Sequence, residues 1–272
     1  MFEDSVFVLF KGERDDPSDD DPFLLRLKQT FKNVVRFPVL SFEYINRDKL
    51  ANKLSATTDY CGLVFTSPRS VKSVQQAVSG NKKIINELKQ KLLFCVGPKT
   101  ATAIRQEFSL EDSIKINGEQ AGNANALGEL IVSEYGEKIR EDCLPLLLPS
   151  STIARDDIKN ILDKENIPLE IISSYQTYPD PEVEKNLKKL RESYQKHHFY
   201  LIFFSPSGLN TVSSVCGEQF LTREDVRLIA LGKTTSEAIR KLGLNIFCIA
   251  KNPTADSLCE AIGEKMKPGD QP

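Results

Sequence analysis

Two stretches of this chain place hydroxyls and a proline directly behind an apolar run: "GLVFTSPRS" at 62–70 and "LIFFSPSGL" at 201–209. Proline at the first position of a helix has its φ set in advance and no N–H to leave unpaired, and the serine before it caps the next free amides. What remains is a cluster of N–H groups at the positive end of the helix dipole, a place for a carboxylate or phosphate. Thr66, Ser67, Ser205 and Ser207 add hydroxyls, Arg69 adds charge, and Gly208 allows close approach of backbone to a ligand. Taken singly, each stretch reads first as a helix cap; their repetition is what raises a binding site.

The plan recurs in "GPKT" at 97–100 and "GKTT" at 232–235, where a glycine ends a strand and hydroxyls open a helix. Thr100, Gly232, Lys233, Thr234 and Thr235 therefore join the candidates. A P-loop needs a further glycine five residues before its Gly-Lys-Thr, and position 227 is Arg. There is no G-x-G-x-x-G behind a strand and no G-x-S-x-G elbow, so neither a dinucleotide nor a serine nucleophile is indicated. The only two histidines, His197 and His198, precede the strand at 200–204 and sit at its amino end, away from where parallel sheets bind ligands. Tyr175, in "ISSYQTYPD", follows the strand-like Leu169–Ile172. A phenol titrating near ~10 is a poor base but a serviceable hydrogen-bond donor.

The elements that must carry these residues alternate along the chain. Short, largely unalternating apolar runs at Val6–Phe10, Val34–Phe37, Leu63–Phe65, Leu92–Val96 and Ile114–Ile116 read as strands buried on both faces, and so do Leu144–Leu148, Leu169–Ile172, Tyr200–Phe204, Arg227–Leu231 and Ile246–Ala250. Helical patterns cover Ser70–Ser79, Lys99–Phe108, Asn125–Tyr135, Thr152–Asp163, Leu209–Cys216, Thr234–Leu242 and Thr254–Lys265. The class is α/β with parallel sheets. The two Ser-Pro pairs and the two glycine-hydroxyl motifs are separated by nearly the same interval, which predicts a direct internal repeat of about half the chain. The acidic "ERDDPSDDDP" at 13–22 reads as a solvated loop ending in a helix start at Asp21-Pro22 rather than a metal site.

Composition narrows the partners. The 272 residues carry a formal charge of −2, from 36 Lys and Arg against 38 Asp and Glu, so the overall field indicates neither nucleic acid nor membrane. An anionic ligand needs a local site instead. The six cysteines show no C-x-x-C and no zinc spacing, and Cys61, Cys95, Cys143 and Cys248 lie in or beside apolar runs, where a reduced thiol acts as a small hydrophobe. The amino terminus has acids before a short apolar run and no run is long enough to cross a bilayer, so a soluble, reduced, cytoplasmic protein is expected.

Taken in order, "PVLSFEY" (38–44), "GLVFTSPRSV" (62–71), "LPLLLPSS" (144–151), "YQT" (175–177), "FFSPSGL" (203–209) and "LGKTTSEAI" (231–239) resemble uroporphyrinogen-III synthase of the animal type, over nearly the whole chain. The resemblance implies two similar flavodoxin-like or Rossmann-like parallel-sheet domains joined by a two-stranded linker, the first strands being exchanged between the sequence halves. Residues 1–37 with 178–272 would form domain one, 44–170 domain two, and 38–43 and 171–177 the linker strands, punctuated by Pro38 and Pro179. It implies a cofactor-independent lyase that closes hydroxymethylbilane with loss of water and inversion of ring D, giving uroporphyrinogen III for haem biosynthesis.

Residue by residue, Tyr175 matches the family tyrosine near the leaving hydroxyl. Thr66, Ser67, Ser205, Ser207, Gly208, Gly232, Thr234, Thr235 and Thr100 match positions that hold substrate or product, with Arg69 and Lys233 as added charge. The resemblance also implies a monomer that needs no metal or organic cofactor, binds a small-molecule substrate and makes transient contact with the preceding pathway enzyme. The rival from another class is a non-catalytic tetrapyrrole or anionic-ligand binding module on the same domains. A nucleotide- or sugar-binding enzyme is a second rival, for which a phosphate loop should be recognisable.

Overall fold

The computed structural model describes residues 4–12, 21–78 and 80–266. From the amino end the elements are β1 (Ser5–Gly12), α1 (Pro22–Lys28), β2 (Asn33–Tyr44), α2 (Arg47–Ser55), β3 (Gly62–Phe65), α3 (Pro68–Val78) and α4 (Lys82–Leu88). There follow β4 (Leu92–Cys95), α5 (Pro98–Phe108), α6 (Ala124–Asp142), β5 (Leu146–Ser151), α7 (Asp157–Lys164) and β6 (Leu169–Pro179). The last third contains α8 (Val183–Ser193), β7 (His198–Phe203), α9 (Pro206–Cys216), α10 (Glu218–Leu221), β8 (Val226–Leu231), α11 (Lys233–Lys241), β9 (Ile246–Ala250) and α12 (Ala255–Lys265). The chain divides into two compact units, Met1–Ser41 with Tyr178–Pro272, and Phe42–Thr177.

In the first unit the strands lie in the order β2-β1-β7-β8-β9, each neighbouring pair parallel. The unalternating apolar run of β1 follows from this position. Val6, Val8 and Phe10 point into a core shared with α8, α9 and α11, while Phe7 and Leu9 point into another shared with α1 and α12. Period-two alternation sends successive side chains to opposite faces, and both faces are covered by helices. The second unit repeats the arrangement in the order β4-β3-β5-β6. Leu63 and Phe65 pack with α2, α3 and α5 on one side; Val64 packs with α6 and α7 on the other.

Connectivity is exchanged. The sheet that β7, β8 and β9 begin is completed by β1 and β2 from the opposite end of the chain, as β3 and β4 are completed by β5 and β6. The chain passes between units twice, within β2 and within β6. In the second unit Ile45 donates its N–H to the Ser174 carbonyl at 2.9 Å, and in the first Asp180 donates to the Val39 carbonyl at 3.1 Å. One number falls as the other rises, so this pairing is antiparallel. Ser41 Oγ donates to Asp180 Oδ2 at 2.6 Å while Asp180 Oδ1 accepts the Glu182 N–H at 2.8 Å, which satisfies the buried carboxylate where α8 begins.

Four sequence expectations are corrected. Ile114–Ile116 is not a strand. Ile114 turns back on the Glu111 carbonyl at 3.0 Å and Gly118, at φ +85°, ends the extension, leaving Asn117 alone to bridge Phe94. The helix expected from Thr152 starts at Asp157, because Ala154 donates to the Ser151 carbonyl in a turn. β5 begins at Leu146 rather than Leu144. Cys143, read as a small hydrophobe beside an apolar run, is exposed at the left-handed end of α6. Cys95 and Cys248 are buried, and burial pushes both thiols up to about 12, so they remain protonated at neutral pH.

Most of the acidic stretch, residues 13–20, lies outside the described residues, but Asp21 and Pro22 open a helix as expected. Asp21 Oδ1 accepts from the Phe23 and Leu24 amides at 3.0 and 3.4 Å, and Oδ2 pairs with Lys11 at 3.0 Å and Arg36 at 3.2 Å. Burial raises its pKa, but the Lys11 hydrogen bond and charge and the two amides outweigh it, and the carboxyl is held below its ordinary value. A depressed carboxylate contributes stability above its unfolded pKa of about 3.9 and loses it as pH falls through the folded pKa. Asp21→Asn is therefore expected to cost about 1–3 kcal/mol at pH 7 in urea unfolding, with the gap to the native protein closing below about pH 4.

At Gly118 a Cβ would stand 2.3 Å from Leu127 Cδ1 and 2.6 Å from the Cys95 carbonyl oxygen, at positive φ. Gly118→Ala should lower unfolding free energy by at least about 2 kcal/mol, read as a lower urea midpoint at unchanged slope.

Candidate active site

In the second unit the carboxyl ends of β3, β5 and β6 converge on the start of α3. Ser67, leaving β3, accepts the Ser70 N–H on its Oγ at 3.2 Å, the cap that the Ser-Pro pair predicts. The same Oγ lies 2.9 Å from the Tyr175 hydroxyl, with either group as donor.

Tyr175 is aimed there by a bulge. Ser150 pairs with Ser173 but Ser151 with Tyr175, so Ser174 is the extra residue of β6. Ser174 and Tyr175 consequently both reach α3 and its cap, at Ser73 and Ser67, although a regular strand would send them to opposite faces. Thr152 donates its N–H to the Tyr175 carbonyl at 3.0 Å and fixes the backbone. Behind this bond runs a series of hydroxyls. Ser70 Oγ donates to the Ser67 carbonyl and Ser73 Oγ to the Ser70 carbonyl, both at 2.7 Å; Ser73 and Ser174 are 2.9 Å apart.

Beside α3, α5 begins after Gly97, which has φ +80°. Pro98 brings no N–H, and the Lys99 and Thr100 amides have no acceptor among the described residues. Arg69, second residue of α3, stacks its guanidinium 4.3 Å from the centre of the Phe42 ring.

The first unit holds the counterpart. Ser205 Oγ accepts the Gly208 N–H at 3.2 Å and lies 3.0 Å from Ser207 Oγ. The Ser207 amide has no acceptor among the described residues, and neither do those of Lys233, Thr234 and Thr235, which follow Gly232 at φ +86°. Because β7 and β8 are neighbours, α9 and α11 begin side by side at one edge of the sheet. Partial positive charge from two helix starts adds there to the charge of Lys233, the first residue of α11.

Each unit thus offers amides and hydroxyls able to hold carboxylates, and the second adds a phenol. A family model described as uroporphyrinogen-III synthase HemD matches residues 22–260. The chain belongs to the uroporphyrinogen-III synthase family. It is 24% identical over 247 residues to the uroporphyrinogen-III synthase of Schizosaccharomyces pombe, covering 89% of this chain and 91% of that protein. The solved uroporphyrinogen-III synthetase of Helicobacter pylori superposes with a TM-score of 0.61 at 15% identity, over 96% of this chain and 99% of that one. A mutant uroporphyrinogen III synthase of Thermus thermophilus superposes at 0.57 with 18% identity, over 96% and 99%. These structures share the two-domain α/β fold.

The family positions read from the sequence fall into two sets. Tyr175, Thr66, Ser67, Arg69 and Thr100 lie in the second unit, all at strand carboxyl ends or the helix starts that follow. Ser205, Ser207, Gly208, Gly232, Lys233, Thr234 and Thr235 lie in the first. Thr100 and Thr235 occupy the same third position of their helices and are both 2% exposed, so their side chains belong to the packing beneath the amides. Lys233 is at the other extreme, its side chain 90% exposed with Glu237 3.9 Å away.

Gly208, read from its residue type as allowing backbone to approach a ligand, is buried, and a Cβ there would meet Val39 Cγ2 at 3.2 Å and Ser205 Oγ at 3.5 Å. His198 opens β7 at its amino end, donating its N–H to the Asp4 carbonyl at 2.8 Å. Among the described residues no three His, Cys, Asp or Glu side chains are grouped to hold a metal, and no helix is long and apolar enough to cross a membrane.

Sequence reading missed the serine series and the Phe42 stack. The first had a signal, since serines at 67, 70 and 73 share one helical face; the second had none.

Ser67→Ala and Ser205→Ala should each cost about 1 kcal/mol in urea unfolding through the lost cap. Tyr175→Phe spares that cap, so a double-mutant cycle between Ser67 and Tyr175 should return a coupling of about 0.5–1.5 kcal/mol, and a cycle between Ser205 and Tyr175 none.

Proposed function

We propose that this chain converts hydroxymethylbilane to uroporphyrinogen III, acting as a carbon-oxygen lyase that requires no metal or organic cofactor. The observation that carries the reading is the Tyr175 hydroxyl held 2.9 Å from Ser67 Oγ, at a helix start in the unit that also presents the free Lys99 and Thr100 amides. The substrate's acetate and propionate arms are carboxylates, and helix-start amides hold such groups in a protein of net charge −2. The nucleophile and the driving force come from the substrate: its electron-rich pyrroles expel the hydroxyl to an azafulvene, and the substituted carbon of ring D then attacks to form a spiro intermediate.

The task left to the protein is to hold the chain of rings where that carbon, and not the free α-carbon of ring D, is the one within reach. Tyr175 gives its phenolic proton to the departing hydroxyl, which leaves as water; Ser67 Oγ donates a hydrogen bond to the phenolate, and the proton that the substrate carbon loses on ring closure restores the phenol. Thr66, Ser205, Ser207 and the helix starts at Gly97 and Gly232 hold the arms, with Arg69 and Lys233 adding positive charge. The protein acts as a cytoplasmic monomer, and transient contact with the enzyme that makes its unstable substrate would limit spontaneous closure.

Supplied with hydroxymethylbilane, the protein should give the type III isomer well above the spontaneous mixture, resolved by chromatography of the oxidised products. Binding without that excess would favour the rival anionic-ligand module. Tyr175→Phe should lower kcat about tenfold or more while product affinity by calorimetry stays within about twofold. An unchanged kcat would remove Tyr175 from the reaction.

A further inference from the structure

The contacts proposed for the substrate are amides, hydroxyls and charged side chains, which suit its carboxylate arms and its leaving hydroxyl. None of them suits the faces of its four pyrrole rings, which need apolar surface. Among the described residues the most exposed large apolar side chain is Ile153, at 71%. It belongs to neither core of the second unit. Single exposed hydrophobes are common and need no explanation by themselves. Ile153 is set apart by its place, in the turn that leaves the carboxyl end of β5 beside Tyr175.

That turn is fixed by three hydrogen bonds. Thr152 donates its N–H to the Tyr175 carbonyl at 3.0 Å, Ile153 to Ser151 Oγ at 3.4 Å, and Ala154 to the Ser151 carbonyl at 3.1 Å. Ile153 is thus one residue from a backbone bond to the residue that carries the phenol. The helix that follows, α7, buries Ile158 and Leu162 and starts only at Asp157, so the turn keeps Ile153 out of that core.

We propose that Ile153 is a substrate contact, its side chain packing against the face of one pyrrole ring of hydroxymethylbilane while Tyr175 meets the leaving hydroxyl. The driving force is removal of apolar area from water, and it requires no charge and no directional bond. A β-branched side chain on a hydrogen-bonded turn has few rotamers to lose, so most of that gain is kept on binding. The contact deepens the proposed reaction and rests on it, since its ligand is the substrate of that reaction.

The test uses the full chain, hydroxymethylbilane and a set of substitutions. Ile153→Ala removes most of the apolar side chain and should raise KM about three- to tenfold, with kcat within about twofold. Ile153→Thr keeps the branch but places a hydroxyl on it and should raise KM too, whereas Ile153→Leu keeps the apolar area and should stay within about twofold of native. Leu25→Ala, at another exposed apolar residue on α1 of the first unit, should leave KM unchanged. Because Ile153 is already exposed, none of its variants should move the urea midpoint, which a structural role would lower.

A native KM in Ile153→Ala, with the type III isomer still formed, overturns the contact and leaves the reaction standing. Failure of the native protein to form that isomer overturns both. A KM raised equally in Ile153→Leu assigns the effect to the shape of the turn, and a urea midpoint lowered in Ile153→Ala assigns it to folding; either result overturns the contact.

Discussion

A helix that follows a parallel strand begins with amides that no residue of the helix can satisfy, and this constraint organises both units. Parallel strands point their carboxyl ends the same way, so the helix starts gather along one edge of each sheet. In the first unit α9 and α11 contribute the amides of Ser207, Lys233, Thr234 and Thr235; in the second α5 contributes those of Lys99 and Thr100. Ser67 and Ser205 relieve part of the deficit as caps, and the other amides have no acceptor among the described residues. Such helix-start amides hold anions without a basic patch.

The two units have the same edge but put different chemistry on it. In the second a phenol, Tyr175, bonds the helix start, and it reaches the edge because one extra residue, Ser174, breaks the register of β6 against β5. Without the bulge, strand alternation would send Tyr175 away from the face where Ser174 is buried. The serines of α3 then tie the bulge to the helix, through Ser73 and Ser174, so the position of the Tyr175 hydroxyl follows from packing as well as from its own bond to Ser67. In the first unit the residue matching Ser70 is Gly208, and the space a side chain would need is filled by Val39 of β2.

The exchanged connectivity makes β2 and β6 serve two purposes. Each ends the run of parallel strands in one unit and is the passage to the other, and Ser41, Asp180 and the Val39 carbonyl hold the passage in the first unit as Ile45 and Ser174 hold it in the second. Asp180 is buried there with both carboxylate oxygens bonded, which satisfies a charged group that would otherwise be costly to remove from water. Phe42, on β2 and outside the repeated motifs, packs its ring against Arg69 at the start of α3.

Much of this was legible from local chemistry. The caps at Ser67 and Ser205, the glycines at 97 and 232, the amino-end histidines and nine of the ten strands follow from rules that reach only a few residues along the chain, so the sequence states them. The strand expected at Ile114–Ile116 failed because its apolar residues say nothing about the turn on Glu111 or the left-handed Gly118 that cut it short.

Three features were decided by tertiary structure alone: the bond from Tyr175 to Ser67, the burial of Gly208 under Val39, and the stack of Arg69 on Phe42. Each joins residues separated by tens of positions or more and depends on strand order, and the first depends also on a one-residue shift of register. Those are set by which hydrophobic faces are covered together, a property of the whole sheet that no local pattern contains.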